Sequence, residues 1–156
     1  MTTRVPKLGL LVLVLGVCSL GLQAQEAPLD ATPGLLGLRL GQALDSVPVP
    51  LTPKKGKARG AQRYLAQPPE GLKAGLALLR EVVVFGYKGY VIGLDYKTGS
   101  LDDSHALLAY LEELFGPGTQ DGYAPRYRWK TQTYQLLYDR NLFTGEARAT
   151  FEYLQE

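Results

Sequence analysis

Asp102, Asp103, Ser104 and His105 stand side by side, and acid, hydroxyl and imidazole are the residue types of a charge-relay nucleophile. The spacing works against that chemistry. Adjacent residues on a helix diverge, so Ser104 and His105 would not share a proton. Asp102, Asp103 and Ser104 fit better at a helix start, where Ser100 can cap, Asp103 stands three residues on, and acids meet the positive end of the helix dipole. His105 is the only histidine and Cys18 the only cysteine, so a zinc site would need carboxylates gathered around one imidazole. Asp121 and Asp139 are isolated acids without the spacing of a calcium loop. The stretch "FGPGTQDG" is rich in glycine, but it follows a helix rather than opening one and lacks the lysine of a phosphate loop. No catalytic residue, metal ligand or cofactor site is therefore expected. A hydrolase or small-ligand site would have to be assembled from polar residues that converge only in the fold.

Two basic groups could bind a partner. In "YRWK", Arg126, Arg128 and Lys130 alternate with Tyr127 and Trp129. A platform for nucleic acid needs rings and cations on one accessible face, and a period of two separates them. The rings are expected in a core, with the three cations in water and open to an acidic partner. The second group lies in "PVPLTPKKGKARG", where Lys54, Lys55, Lys57 and Arg59 mingle with three prolines. That composition reads as a solvated loop over residues 48 to 60, and its cations are the other candidate patch for an anionic partner.

The N-terminus carries Arg4 and Lys7, an apolar run from Leu8 to Val17, and a smaller, more polar stretch ending "LQAQEA". This is the layout of a secretory signal peptide over residues 1 to 24, cleaved after Ala24. The run is shorter than the roughly 20 residues that span a bilayer, so no transmembrane segment is expected in the mature chain. Cys18 in "LGVC" offers a narrower alternative, a lipobox, although Val17 is a poor residue before the modified cysteine. Arg4 and Lys7 leave with the signal and no acid does, so 17 basic and 15 acidic residues become 15 of each. A neutral domain has no global field with which to collect nucleic acid. Its stability must come from its core alone, since no cysteine is left for a disulfide.

Residues 25 to 34 read as a flexible leader and residues 35 to 156 as one domain. Leu36, Leu38 and Leu40 suggest a short strand, followed by a helical turn through Val47 that Pro48 stops. Ala61 to Ala66 reads as a strand. Val82 to Phe85 and the alternating Tyr90, Ile92, Leu94 and Tyr96 form a hairpin about Lys88 and Gly89, with Asp95 and Lys97 turned to water. A helix is expected over residues 101 to 115, with Leu107, Leu108, Leu111, Leu114 and Phe115 as its apolar stripe and Gly116 and Pro117 as its stop. Three strands close the chain, the last with Ala147, Ala149, Phe151 and Tyr153 on one side. The class is α+β, an antiparallel sheet packed by one main helix, with the halves open to reading as two diverged units of a helix plus three strands.

The succession "LGLRLGQALDSV", "FGYKGYVIGLDY", "LLAYLEELFGPGT" and "YRWKTQTYQLLYD" resembles a loose group of small exported bacterial proteins of unknown function. More distantly, short helices each followed by antiparallel strands are similar to the β-lactamase inhibitory protein and to the small lipoprotein of the outer-membrane assembly machine. Those likenesses imply protein binding through a sheet face and carry over no site residue. The expectation is an exported, non-catalytic binding module of the bacterial envelope with a protein partner and no cofactor.

Overall fold

Runs of β-branched and aromatic residues, separated by glycine-bearing turns, build one antiparallel meander on each side of a single long helix. The computed structural model describes residues 33 to 58, 60 to 67 and 71 to 154. A short 3-10 helix (Leu44–Ser46) leads into β1 (Leu51–Ala58), β2 (Ala61–Ala66), β3 (Lys73–Ala74), β4 (Ala77–Tyr87) and β5 (Tyr90–Thr98). The helix α1 (Leu101–Phe115) follows, then β6 (Thr119–Gln120), β7 (Arg126–Lys130), β8 (Tyr134–Arg140) and β9 (Ala147–Tyr153). The strands pair in the order β1-β2-β4-β5-β9-β8-β7-β6, with β3 attached to β4. That order is palindromic, because the two meanders meet through their last strands, β5 and β9. The protein is an α+β fold with one main helix packed on an antiparallel sheet.

The helix begins and ends where its caps place it. Asp103 N–H donates to the Ser100 hydroxyl at 3.1 Å, and Gly116 leaves the helix at φ 76°. Leu107, Leu111 and Phe115 are buried against the sheet, with Leu108 and Leu114 half-buried beside them. Phe151 packs in T-shaped contact with both Tyr96 and Phe115, at centroid separations of 5.8 and 5.9 Å. Gly118 is required just beyond the helix, since a Cβ there would lie 2.7 Å from the Trp129 ring.

Several expectations need correction. Residues 36 to 40 form turns, not a strand; Leu38 and Leu40 are buried all the same, and the Tyr96 hydroxyl holds the segment by bonding both Leu35 N–H and Leu35 C=O at 2.9 Å. The proline- and lysine-rich stretch taken as a loop contains β1. It is an edge strand, where Pro53 and lysines are tolerated because one side of the ladder is unpaired. The β5 alternation breaks at a bulge opposite Phe85 and Gly86, so Val91 is buried while Tyr90 is exposed. Asp95, expected in water, is 1% exposed. The stretch read as a signal peptide lies outside the described residues, as does the expected leader up to residue 32. Pro33 and Gly34 are already buried, and Pro33 C=O accepts from Leu40 N–H at 3.1 Å. Each half of the fold also has more strands than the three expected, because β1, β3 and β6 carry no alternating apolar pattern.

Candidate functional site: the helix-free face of the sheet

The residues of the "DDSH" stretch serve the fold. Ser104 is fully buried, and its hydroxyl lies 2.6 Å from Thr98 Oγ1 and 2.6 Å from Gly145 O. Thr98 Oγ1 in turn accepts from Ala147 N–H at 2.8 Å, so a chain of hydrogen bonds ties β5, α1 and the start of β9. His105 points the other way, to the Arg140 guanidinium on the surface. Asp103 accepts from Leu78 N–H and from the Ser100 hydroxyl, and the latter bond, with the former, holds its carboxyl below the usual range. Nucleophile and base are thus on divergent sides of one helix.

The other face of the sheet is more informative. Cross-strand register aligns three rows of side chains on it. One row runs Lys54, Arg63, Phe85, Gly93, Glu152, Gln135 and Lys130. The next runs Thr52, Leu65, Val83, Asp95, Thr150, Leu137 and Arg128. The third runs Glu81, Lys97, Arg148, Asp139 and Arg126. Bulges interrupt the β1 and β4 ladders, and Lys54 of β1 reaches past β2 to ion-pair with Glu81 of β4. Val83 and Asp95 are buried on this face although no helix covers it, Asp95 beneath Arg148 and Thr150.

Charges on this face are paired by design of the register. Glu81 lies between Lys54 and Lys97, with Lys97 Nζ at 2.7 Å, and the two lysine hydrogen bonds pull its carboxyl down to about 2. Asp95 accepts from Arg148 at 2.6 Å and from the Thr150 hydroxyl at 2.7 Å. The bond to Asp95 raises the Arg148 pKa, and the guanidinium roofs a carboxylate that water no longer reaches. Arg126 meets Asp139 at 2.8 Å and Arg128 meets Asp121 at 3.2 Å. Gln135 donates to Glu152 at 2.7 Å.

Arg63 is different. Its Nε is buried and has no hydrogen-bond partner among the described residues. Its cross-strand neighbours are Lys54 and Phe85, a cation and a ring. Beyond Phe85 lies a hollow of about 520 Å³ lined in part by Gly93. Phe85 and Ile92 line one side and Leu137 the other, while Arg148, Thr150 and Glu152 stand at the rim. Gly93 opens the floor, where an added Cβ would come within 3.3 Å of the Phe85 ring.

Of the residues singled out from sequence, Lys54, Arg126, Arg128 and Lys130 share this face. Five strands separate β1 from β7, so they occupy opposite margins, on the order of 29 Å apart along the sheet. Lys55 is exposed on the other side of β1, Lys57 lies in β1, and Arg59 lies outside the described residues. Trp129 is buried and donates to Gly116 O at 2.8 Å, while Arg126, Arg128 and Lys130 are exposed, as the alternation required. Sequence reasoning missed Arg63, Phe85, Ile92, Leu137 and Arg148. Arg63 alone carried a local signal, as the one charge inside an otherwise half-apolar strand.

No protein family, no characterised protein and no solved structure matches the chain. Among the described residues, no helix is long and apolar enough to cross a membrane, and no three acidic, histidine or cysteine side chains gather as metal ligands.

Proposed function

We propose that the protein is an exported, non-catalytic binding module of the bacterial envelope, and that the helix-free face of its sheet is the surface by which it recognises a protein partner. The observation that carries this reading is the hollow over Gly93, apolar between Phe85, Ile92 and Leu137 and surrounded by paired charges. An apolar centre with a polar, hydrogen-bonded rim is the anatomy of a protein interface. The buried Ser104 and the outward His105 are out of reach of each other, so the stretch whose residue types suggest a nucleophile does not assemble one. The resemblance to sheet-face binders points the same way by analogy.

A small ligand is the second reading, favoured by the volume of the hollow, which falls within the range of small-molecule sites. Site-specific photo-crosslinking separates the two. A benzophenone amino acid replaces Leu137 in the full chain expressed in cells, with a control in place of Glu112 on the exposed side of α1. A discrete protein adduct in the exported fraction, formed from the Leu137 site and not from the control, is expected. Equal adducts from both sites, or none from the Leu137 site, would overturn the protein-binding reading.

A further inference from the structure

We infer that the hollow over Gly93 receives one large apolar side chain of a protein partner, and that the same partner segment sets a carboxylate against Arg63. This rests on the reading of the helix-free face as the recognition surface, and it names the chemistry that surface selects.

The apolar half follows from the walls. Phe85 and Leu137 face each other across a floor from which Gly93 removes the side chain, so the space fits an aromatic or branched aliphatic group. The acidic half follows from charge complementarity. Arg148 stands at the rim of the hollow, and Arg63 lies one strand beyond its Phe85 wall. Arg148 is held by Asp95 in two places, at 2.6 and 2.5 Å. Arg63 has no acidic partner among the described residues, and its buried Nε lacks an acceptor. A donor left unmade in that position is costly, and a partner's carboxylate that meets the half-buried guanidinium as it turns outward supplies the acceptor and the opposite charge together.

Geometry joins the halves. Arg63 stands directly opposite Phe85 in the β2–β4 register, so its Cβ lies roughly 5 Å from that of the hollow's wall. A segment that seats a side chain between Phe85 and Leu137 therefore carries its neighbouring residues past Arg63. Lys54, next along the row, is already engaged by Glu81 and adds positive potential without offering a second free site.

The test uses a random linear peptide library displayed on phage and selected on the immobilised mature chain, with counter-selection on Leu137→Arg. Selected peptides are expected to share a large apolar residue next to Asp or Glu. Against Arg63→Gln, a synthesised winner should lose about tenfold or more in affinity. Replacing its acid by the amide should cause the same loss, without a further loss on Arg63→Gln, and Arg63→Lys should restore part of the binding. Far-UV circular dichroism and unchanged denaturation midpoints establish that each variant is folded. Peptides that depend on Leu137 but bind Arg63→Gln unchanged would overturn the acidic contact and leave the interface reading standing. The absence of any Leu137-dependent peptide would overturn both. In that case, saturable binding of anilinonaphthalene sulfonate that Leu137→Arg abolishes would assign the hollow to a small amphipathic molecule. Self-association of the purified chain that Leu137→Arg abolishes would assign it to a second copy.

Discussion

Replacing Glu81 by Gln removes one charge from the centre of the helix-free face while keeping the shape of the side chain. Glu81 is 23% exposed and receives hydrogen bonds from Lys54 and Lys97, which lower its carboxyl from 4.5 to about 2. At roughly 1.4 kcal/mol per pKa unit, the depression corresponds to about 3 kcal/mol as an upper bound. Partial exposure and salt screening reduce this to about 1–2 kcal/mol. The sign is fixed by linkage. Because the folded-state pKa lies below the unfolded value, the stabilisation is fully present above about pH 5 and is lost as pH falls through about 2. Urea denaturation of the wild type and Glu81→Gln is therefore expected to differ by about 1–2 kcal/mol near pH 7, less in molar salt, and to converge near pH 2. The two lysines are about a quarter exposed and can rehydrate, so the loss belongs to the pairing and not to stranded buried cations. A gap that persists unchanged at low pH would refute the electrostatic account and point to packing around the side chain. No gap at neutral pH would mean that the triad is an exposed ornament of the surface.

Leu111→Ala, at the centre of the buried helical stripe, should cost about 2–5 kcal/mol in chemical denaturation, and a loss below about 1 kcal/mol would contradict the packing of α1 on the sheet. Trp129, 5% exposed and hydrogen-bonded through its indole, should emit in the blue and resist acrylamide until the protein unfolds; free quenching in the folded state would put β7 the other way round.

The helix was legible residue for residue because every local signal agreed. Ser100, the acids of the first turn, the spacing of Leu107, Leu111 and Phe115, and Gly116 all specify the same element. The parity of Trp129 in β7 and of Phe151 in β9 was legible for the same reason, since one buried face fixes a strand's alternation. Edge strands were not. β1 and β6 bury little, so nothing in their composition separates them from loops, and the lysines and prolines that keep an edge from aggregating are also loop residues. The reversal at Tyr90 and Ile92 came from a bulge, which inserts one residue and leaves no compositional trace at that site.

The site was harder to read because its members come from β2, β4, β5, β8 and β9, and only register brings them together. Local charge density pointed to Arg126 and Arg128, whose neighbours in sequence are also basic or aromatic. Across the strands each has an acid, Asp139 for one and Asp121 for the other, so a partner's carboxylate must compete with one already in place. Exposed pairs of this kind contribute about 1 kcal/mol or less, and an incoming acid that displaces one gains correspondingly little. Arg63 is a lone charge in its strand, its cross-strand neighbours are Lys54 and Phe85, and its Nε has no acceptor among the described residues. On the proposed interface, ion pairs already hold Glu81, Asp95, Asp121 and Asp139, so a partner's acid is expected to gain more at the half-buried Arg63 than at the exposed, hydrated Lys130.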